Sequence, residues 1–396
     1  MEMTKYKLGD VLNFYNGRLR PNSKGPFPVF GGNGIIDYVA EYNYENNIIV
    51  GRVGANCGSV QKYDGKCWVS DNAISVTVKD GFSKDCVYYL LKLLDLNKKH
   101  VGAAQPLLTQ EIISNLVVYL PKYDDQKKIA SVLSALDDKI ALNKKMNQKL
   151  EAMAKRLYDY WFVQYDFPDK NGHPYKTTGG PMTYNSTLKR EIPVGWDVAP
   201  ISEFIEKNFN GEWGKEEASE DDIRVHCVRG ADIVDMVDMP VRYISTKKKD
   251  RILNPNDIIV EISGGSPTQS TGRATFVTRN TLNRFDSPMT CSNFCQIIRL
   301  KDAKCASYFF EMWQKFYASD IFFNFEGKTS GIKNFQTDSF IATPWAHPPK
   351  ELMYKFDEMY QSFMKKKERL IAENQKLTTL RDKLLPLLMN GQVVVH

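Results

Sequence analysis

No apolar run in the chain approaches ~18 residues, which excludes a membrane-spanning helix. The opening Met1-Glu2-Met3-Thr4-Lys5-Tyr6-Lys7-Leu8 lacks the apolar stretch of a signal peptide, so a cytoplasmic location is expected. The seven cysteines contain no Cys-x-x-Cys pair. Cys291 and Cys295 have a zinc-like gap but no second pair of ligands nearby, so reduced, buried thiols are expected and a structural metal is not. Excess charge is scarce as well. A net +6 over 396 residues permits a nucleic-acid partner without demanding one.

Catalytic signatures are also missing. Gly327-Lys328-Thr329-Ser330 looks like the end of a phosphate-binding loop, but Phe322 stands where that loop needs its first glycine. The glycines of Gly51-Arg52-Val53-Gly54-Ala55-Asn56-Cys57-Gly58 are spaced GxxGxxxG, which is not the dinucleotide fingerprint. There is no Asn-Pro-Pro-aromatic tetrapeptide of the kind that marks amino-group DNA methyltransferases. GxSxG, HExxH and a nuclease carboxylate cluster are absent too. The five histidines are scattered, and no catalytic residue is assigned.

What the sequence does contain is a repeated long helix. From Ile129, steps of four and three meet Leu133, Leu136, Ile140, Asn143, Asn147, Leu150, Ala154, Leu157 and Trp161, and eight of these ten positions are apolar. The same steps from Phe356 meet Tyr360, Phe363, Lys367, Leu370, Asn374, Leu377, Arg381, Leu384 and Leu388, with Leu380 and Leu387 widening the stripe. Both patterns predict coiled-coil helices, over about 124–162 and 350–389. Asn147-Gln148-Lys149-Leu150 recurs as Asn374-Gln375-Lys376-Leu377, 227 residues later, and a period that long marks duplicated domains. The repeated asparagine falls on both seams, where a polar residue fixes register at some cost in stability.

The segments before each helix repeat in the same order. Leu8-Gly9-Asp10-Val11 answers to Ile201-Ser202-Glu203-Phe204, and Asn47-Ile48-Ile49-Val50 to Asp257-Ile258-Ile259-Val260. Asp71–Val76 is set against Ser292–Ile297, and Tyr88-Tyr89-Leu90 against Tyr308-Phe309-Phe310. Short β-branched runs between Gly- and Asn-rich turns predict mainly-β globular halves. The expected class is therefore α+β: two mainly-β domains separated by two long helices in an antiparallel coiled coil, with an internal pseudo-two-fold repeat. The boundaries are 1–122, a first spacer helix over 123–163, an extended, partly ordered connector over 164–190, a second domain over 191–348 and a second spacer helix over 349–391.

The loops of both halves mix basic, amide and aromatic side chains, which suits DNA. Arg can pair with guanine edges, Asn or Gln with adenine edges, and Lys with phosphates. The candidate DNA-facing residues are Arg18, Arg20, Asn33, Arg52 and Lys62 in the first half, and Arg229, Lys248, Gln269, Arg273 and Lys328 in the second. The candidate seam residues are Leu136, Ile140, Asn147, Leu150, Leu157, Leu370, Asn374, Leu377 and Leu384.

The layout resembles the specificity subunit of a type I restriction-modification system. The most recognisable stretch is Gln126-Lys127-Lys128-Ile129-Ala130 leading into Leu157-Tyr158-Asp159-Tyr160-Trp161-Phe162-Val163-Gln164-Tyr165-Asp166-Phe167-Pro168, followed by Asn171-Gly172 and the entry Ile192-Pro193-Val194-Gly195-Trp196. Pro28–Gly34 and Gly51–Gly54 are also similar to that family's recognition segments, while the first half lacks an Ile-Pro-x-Gly-Trp entry. The resemblance implies two target-recognition domains that each read one half of a bipartite double-stranded DNA target. It implies antiparallel helices that dock two modification (methyltransferase) subunits, with restriction subunits able to join. It implies no catalysis by this chain, S-adenosylmethionine, ATP and magnesium being bound by the partners. A helix of about 39 residues spans ~58 Å, long enough to act as a ruler between half-sites. Three readings remain beside it: a free-standing DNA-binding regulator, an enzyme with an unrecognised site, and a coiled-coil scaffold without DNA contact.

Overall fold

A computed structural model of the chain describes residues 1–102, 106–234, 236–264, 268–329 and 332–395. It divides into two compact units, one of Met1–Asn143 with Glu373–His396, the other of Lys144–Ala372. Each long helix thus contributes one part to each unit.

In the first unit β1 (Met3–Lys7) pairs antiparallel with β8 (Val117–Pro121). Six strands, β2 (Leu12–Asn16), β3 (Phe27–Gly31), β4 (Gly34–Val39), β5 (Tyr44–Gly51), β6 (Val60–Val69) and β7 (Ala73–Val78), form one sheet in the order β2-β7-β5-β6-β3-β4. The Ile48-Ile49-Val50 part of central strand β5 is a continuous apolar run because both its faces are covered there. Ile48 and Val50 point into the larger core, with the helix Lys84–Leu93, whereas Ile49 points to a smaller core with Phe30, Cys67 and Val69.

The second unit repeats this design. Ile205–Asn210, Cys295–Leu300, Ile258–Glu261 and Ala274–Phe276 form a sheet in that order, matching β2, β7, β5 and the first part of β6. Met289–Cys291, Asp222–Val228 and Val241–Ser245 match the end of β6, β3 and β4. The division of faces recurs: Ile258 and Val260 enter one core and Ile259 another. The counterpart of β6 is split by residues 277–288, where Thr281 donates to Glu368 of the second long helix (2.9 Å) and Arg284 pairs with the same carboxylate (3.5 Å).

The first long helix runs Tyr123–Tyr158 and closes in a π-turn, Asp159–Val163; the second runs Lys350–Met389. All ten positions of the first seam are buried or half-buried, including Leu136, Ile140, Asn147, Leu150 and Leu157. Leu370, Asn374, Leu377 and Leu384 are half-buried on the second. Leu380 does not widen that stripe: it is 46% exposed. Within the first unit Asp137 meets Arg381 (2.7 Å) and Asn143 meets Asn374 (2.9 Å), so the two helices run antiparallel. Within the second, Glu151 meets Lys367 (2.6 Å), while Tyr158 and Trp161 pack on Phe356, again antiparallel.

Two expectations need correction. The seam's polar contact is made by Asn143, not Asn147. Asn143 donates to the Asn374 and Glu373 side chains, and Asn374 donates to the Ile140 carbonyl, whereas the buried Asn147 Oδ1 has no hydrogen-bond partner among the described residues. In an antiparallel pair the repeated asparagines need not face each other. The stretch read as an extended, partly ordered connector is folded by its own contacts. Asp166 accepts from the Thr177 amide and hydroxyl, Phe167 stacks between Tyr175 and Trp196, and Met182–Asn185 pairs with Arg190–Pro193. Local side-chain bonds and aromatic contacts order a Pro- and Gly-rich sequence that composition alone reads as a linker.

Candidate nucleic-acid interface

In the first unit four chain segments meet at one end of the sheet. After β2, the Gly17 amide donates to the Ala73 carbonyl (3.2 Å) and the Arg18 amide to the Val69 carbonyl (3.0 Å). The Ser70 amide donates to the Phe30 carbonyl (2.9 Å), tying the β3–β4 turn to the β6–β7 turn. After β5, the Arg52 amide donates to the Asn72 carbonyl (2.9 Å), and Ser59 donates to the Gly32 carbonyl. Gly17 is required by this approach, since a β-carbon there would lie 1.8 Å from the Ser70 carbonyl oxygen. The cluster presents Arg18, Asn33 and Asn72 to solvent, with Arg52 half-buried. Among the described residues neither Arg18 nor Arg52 enters the unit's ion pairs, which are made by Arg20, Arg381 and lysines.

The second unit makes the same bonds with different side chains. The Gly211 amide donates to the Cys295 carbonyl (3.0 Å) and the Glu212 amide to the Cys291 carbonyl (2.7 Å). The Ser292 amide donates to the Val228 carbonyl (2.8 Å), and the Ile262 amide to the Phe294 carbonyl (2.9 Å). Gly211 repeats the constraint of Gly17, its absent β-carbon falling 2.1 Å from the Cys291 carbonyl oxygen. These bonds correct the sequence comparison by one residue. Ala73 answers to Cys295 and Asn72 to Phe294, whereas the sequence comparison had set Asn72 against Asn293. A one-residue slip would turn every side chain of the strand to the opposite face. Arg18 therefore corresponds to Glu212, Arg52 to Ile262, and Gly31 to Arg229.

The candidate residues fall into three groups. Arg18, Asn33, Arg52 and Arg229 lie at these strand ends. Arg20, Lys62, Lys248, Arg273 and Gln269 have partners within their own units. Arg20 pairs with Asp37 (2.8 Å), Lys62 with Asp85 on the helix Lys84–Leu93 (2.6 Å), and Lys248 with Glu212 (3.2 Å). Arg273 bonds Glu261 and the Gly230 carbonyl, bracing two loops of the cluster, and Gln269 donates to the Tyr317 hydroxyl (3.0 Å). Arg229 is also held, through two bonds of 2.8 Å to Asp232, yet remains about half exposed. The side chain of Lys328 lies outside the described residues.

Reading loops by composition missed Gly211, Glu212 and Phe294. The available signal was the Asn-Gly dipeptide at 16–17 and again at 210–211. A β-bulge between Ile205 and Lys207 adds one residue before the second copy and hides the match. The seven cysteines are all buried free thiols. Burial pushes Cys86, Cys227, Cys295 and Cys305 up to about 12, so they stay protonated near neutrality.

Residues 1–152 match the model of the type I restriction modification DNA specificity domain. The match ends inside the first long helix, but the repeated strand order and strand-end bonds make the second unit another copy of the same fold. The resemblance carried by Gln126–Pro168 and Ile192–Trp196 is borne out by relatives that span most of the chain. The type I restriction enzyme MjaIX specificity subunit of Methanocaldococcus jannaschii is 26% identical over 81% of this chain and 72% of its own length. The HindI specificity subunit of Haemophilus influenzae is 22% identical over 73% of this chain and 71% of its own. A crystal structure of a type I restriction-modification S subunit from M. genitalium has the same fold, with a TM-score of 0.56 and 14% identity over 98% of this chain and 96% of that one. No helix among the described residues is long and apolar enough to cross a membrane.

Proposed function

We propose that the chain is the non-catalytic specificity subunit of a cytoplasmic type I restriction-modification complex. Its two specificity domains each read half of a bipartite DNA target, and its long helices dock modification subunits, with restriction subunits joining them. S-adenosylmethionine, ATP and magnesium belong to those partners. The observation that carries this reading is the duplicated strand-end cluster: one backbone framework, built twice, with different exposed side chains on each copy. A regulator that reads a palindrome would need two identical reading surfaces. A scaffold would not need reading surfaces.

Docking is supported by apolar side chains that the helices leave exposed outside the seam. In the second unit Met146, Met153 and Tyr160 recur at intervals of seven on one face, and Met359 is exposed on the other helix. In the first unit Leu142 and Leu380 are exposed. Such side chains suit partner helices.

Co-expression with the modification subunit of the same organism tests the reading. The two are expected to co-purify and to methylate duplex DNA at one split sequence, while the chain alone does neither chemistry. Methylation or cleavage by the chain alone, or a modification subunit that shows the same sequence preference without it, would count against the proposal.

A further inference from the structure

We infer that Glu212 is a base-reading residue of the second specificity domain. It selects a base with an exocyclic amine in the major groove, cytosine or adenine, where Arg18 selects guanine in the other half-site. This inference rests on the proposed reading of the chain as a specificity subunit.

Arg18 and Glu212 are the same position of the fold. Each follows a glycine that no other residue could replace without a clash, and the amide of each donates a hydrogen bond to the carbonyl three residues before the 72 or 294 tip. The backbone thus delivers a guanidinium in one copy and a carboxylate in the other. The surroundings change in the same sense. Exposed Asn72 becomes Phe294, 54% exposed, and Arg52 becomes Ile262.

A carboxylate on a surface that meets a polyanion weakens binding unless it makes a directed contact. The hydrogen-bond donors that DNA offers in its major groove are cytosine N4 and adenine N6, and acidic side chains accept from such amines. Thymine adds a methyl group that suits an exposed apolar side chain such as Phe294. Without DNA the Glu212 charge is balanced by Lys248 at 3.2 Å, whose side chain is half exposed. Lys248 is free to turn to a phosphate once the carboxylate has an amine donor.

The test is methylation-motif mapping in cells that carry the modification subunit with the full chain or its variants. Wild type is expected to show adenine or cytosine at one second-half position that changes to guanine in Glu212→Arg, with the first half-site unaltered. Glu212→Gln, which keeps the shape and can pair with adenine, is expected to retain or acquire adenine there. Lys248→Ala is expected to keep the motif and lower methylation of all its sequences alike. Should Glu212→Arg abolish methylation, Glu212→Ala decides: a relaxed base at that position supports the inference, and the parental motif methylated at the wild-type level overturns it. The parental motif methylated at the wild-type level by Glu212→Arg also overturns the inference, as does a base change caused by Lys248→Ala. A wild-type complex without any split motif would instead overturn the reading as a specificity subunit.

Discussion

At the scale of single residues, charge and burial act differently on the surface and inside. On the surface, Arg18 has no acidic partner among the described residues and stands on a backbone that Gly17 and Ser70 hold in place. If it reads guanine, Arg18→Ala is expected to cost ~1–3 kcal/mol in specific binding and to relax one base position. Binding titrations of the assembled complex on target and random duplexes check this. Equal loss on both would make Arg18 a phosphate contact.

Inside the second unit, burial pushes the Glu311 carboxyl up to about 8. Lys155 pulls against that shift, Asp159 and Glu151 add to it, and Lys367 also opposes it. In the unfolded chain the group ionises near ~4.3, so folding favours its protonated form. The resulting penalty is absent at low pH, grows as pH rises through the unfolded value, and is complete above about 8. Glu311→Gln is therefore expected to stabilise the protein on the order of a few kcal/mol above that pH and to change little near pH ~4. Denaturant melts at the two pH values measure the difference. An equal effect at both would show that the carboxyl ionises normally in the fold.

At the scale of elements, the helices were legible because their chemistry is periodic. The seam through Leu136, Ile140, Leu150 and Leu157 follows from a spacing of 3.5 residues and is the inward face in the structure. Which asparagine meets which was not legible, because an antiparallel partner's register is fixed by contacts remote in sequence. Asn143 faces Asn374 although Asn147 is the repeated residue. Asn374→Leu should leave Asn143 without that partner and cost ~1–3 kcal/mol, whereas the double change Asn143→Leu/Asn374→Leu should recover most of the loss. A double-mutant cycle by urea unfolding decides; strictly additive losses would mean that the contact is inert. The strand-end cluster was only half legible. Gly-rich turns flagged Arg18, Asn33 and Arg52, but the bulge near Ile205 displaced the second copy by one residue. Lys62 and Arg273 read as DNA contacts from composition, yet bond carboxylates within their own units, because sequence does not show which acids a turn brings near.

At the scale of the whole molecule, the proposed role depends on two reading surfaces and a spacer. A heptad inserted into both long helices, at matched positions of the seam, is expected to add about 10 Å to the spacer and roughly three base pairs to the gap between half-sites, leaving the half-sites themselves unchanged. An unchanged gap would mean that the helices do not set the distance.

The central claim is that this chain alone decides where a methyltransferase acts. Genome-wide mapping of methylated bases in cells that express the modification subunit, with and without this chain, tests it most directly. One split motif, with two unlike halves and a fixed gap, is expected only when the chain is present. Methylation of the same motif in its absence, or no motif in its presence, would contradict it.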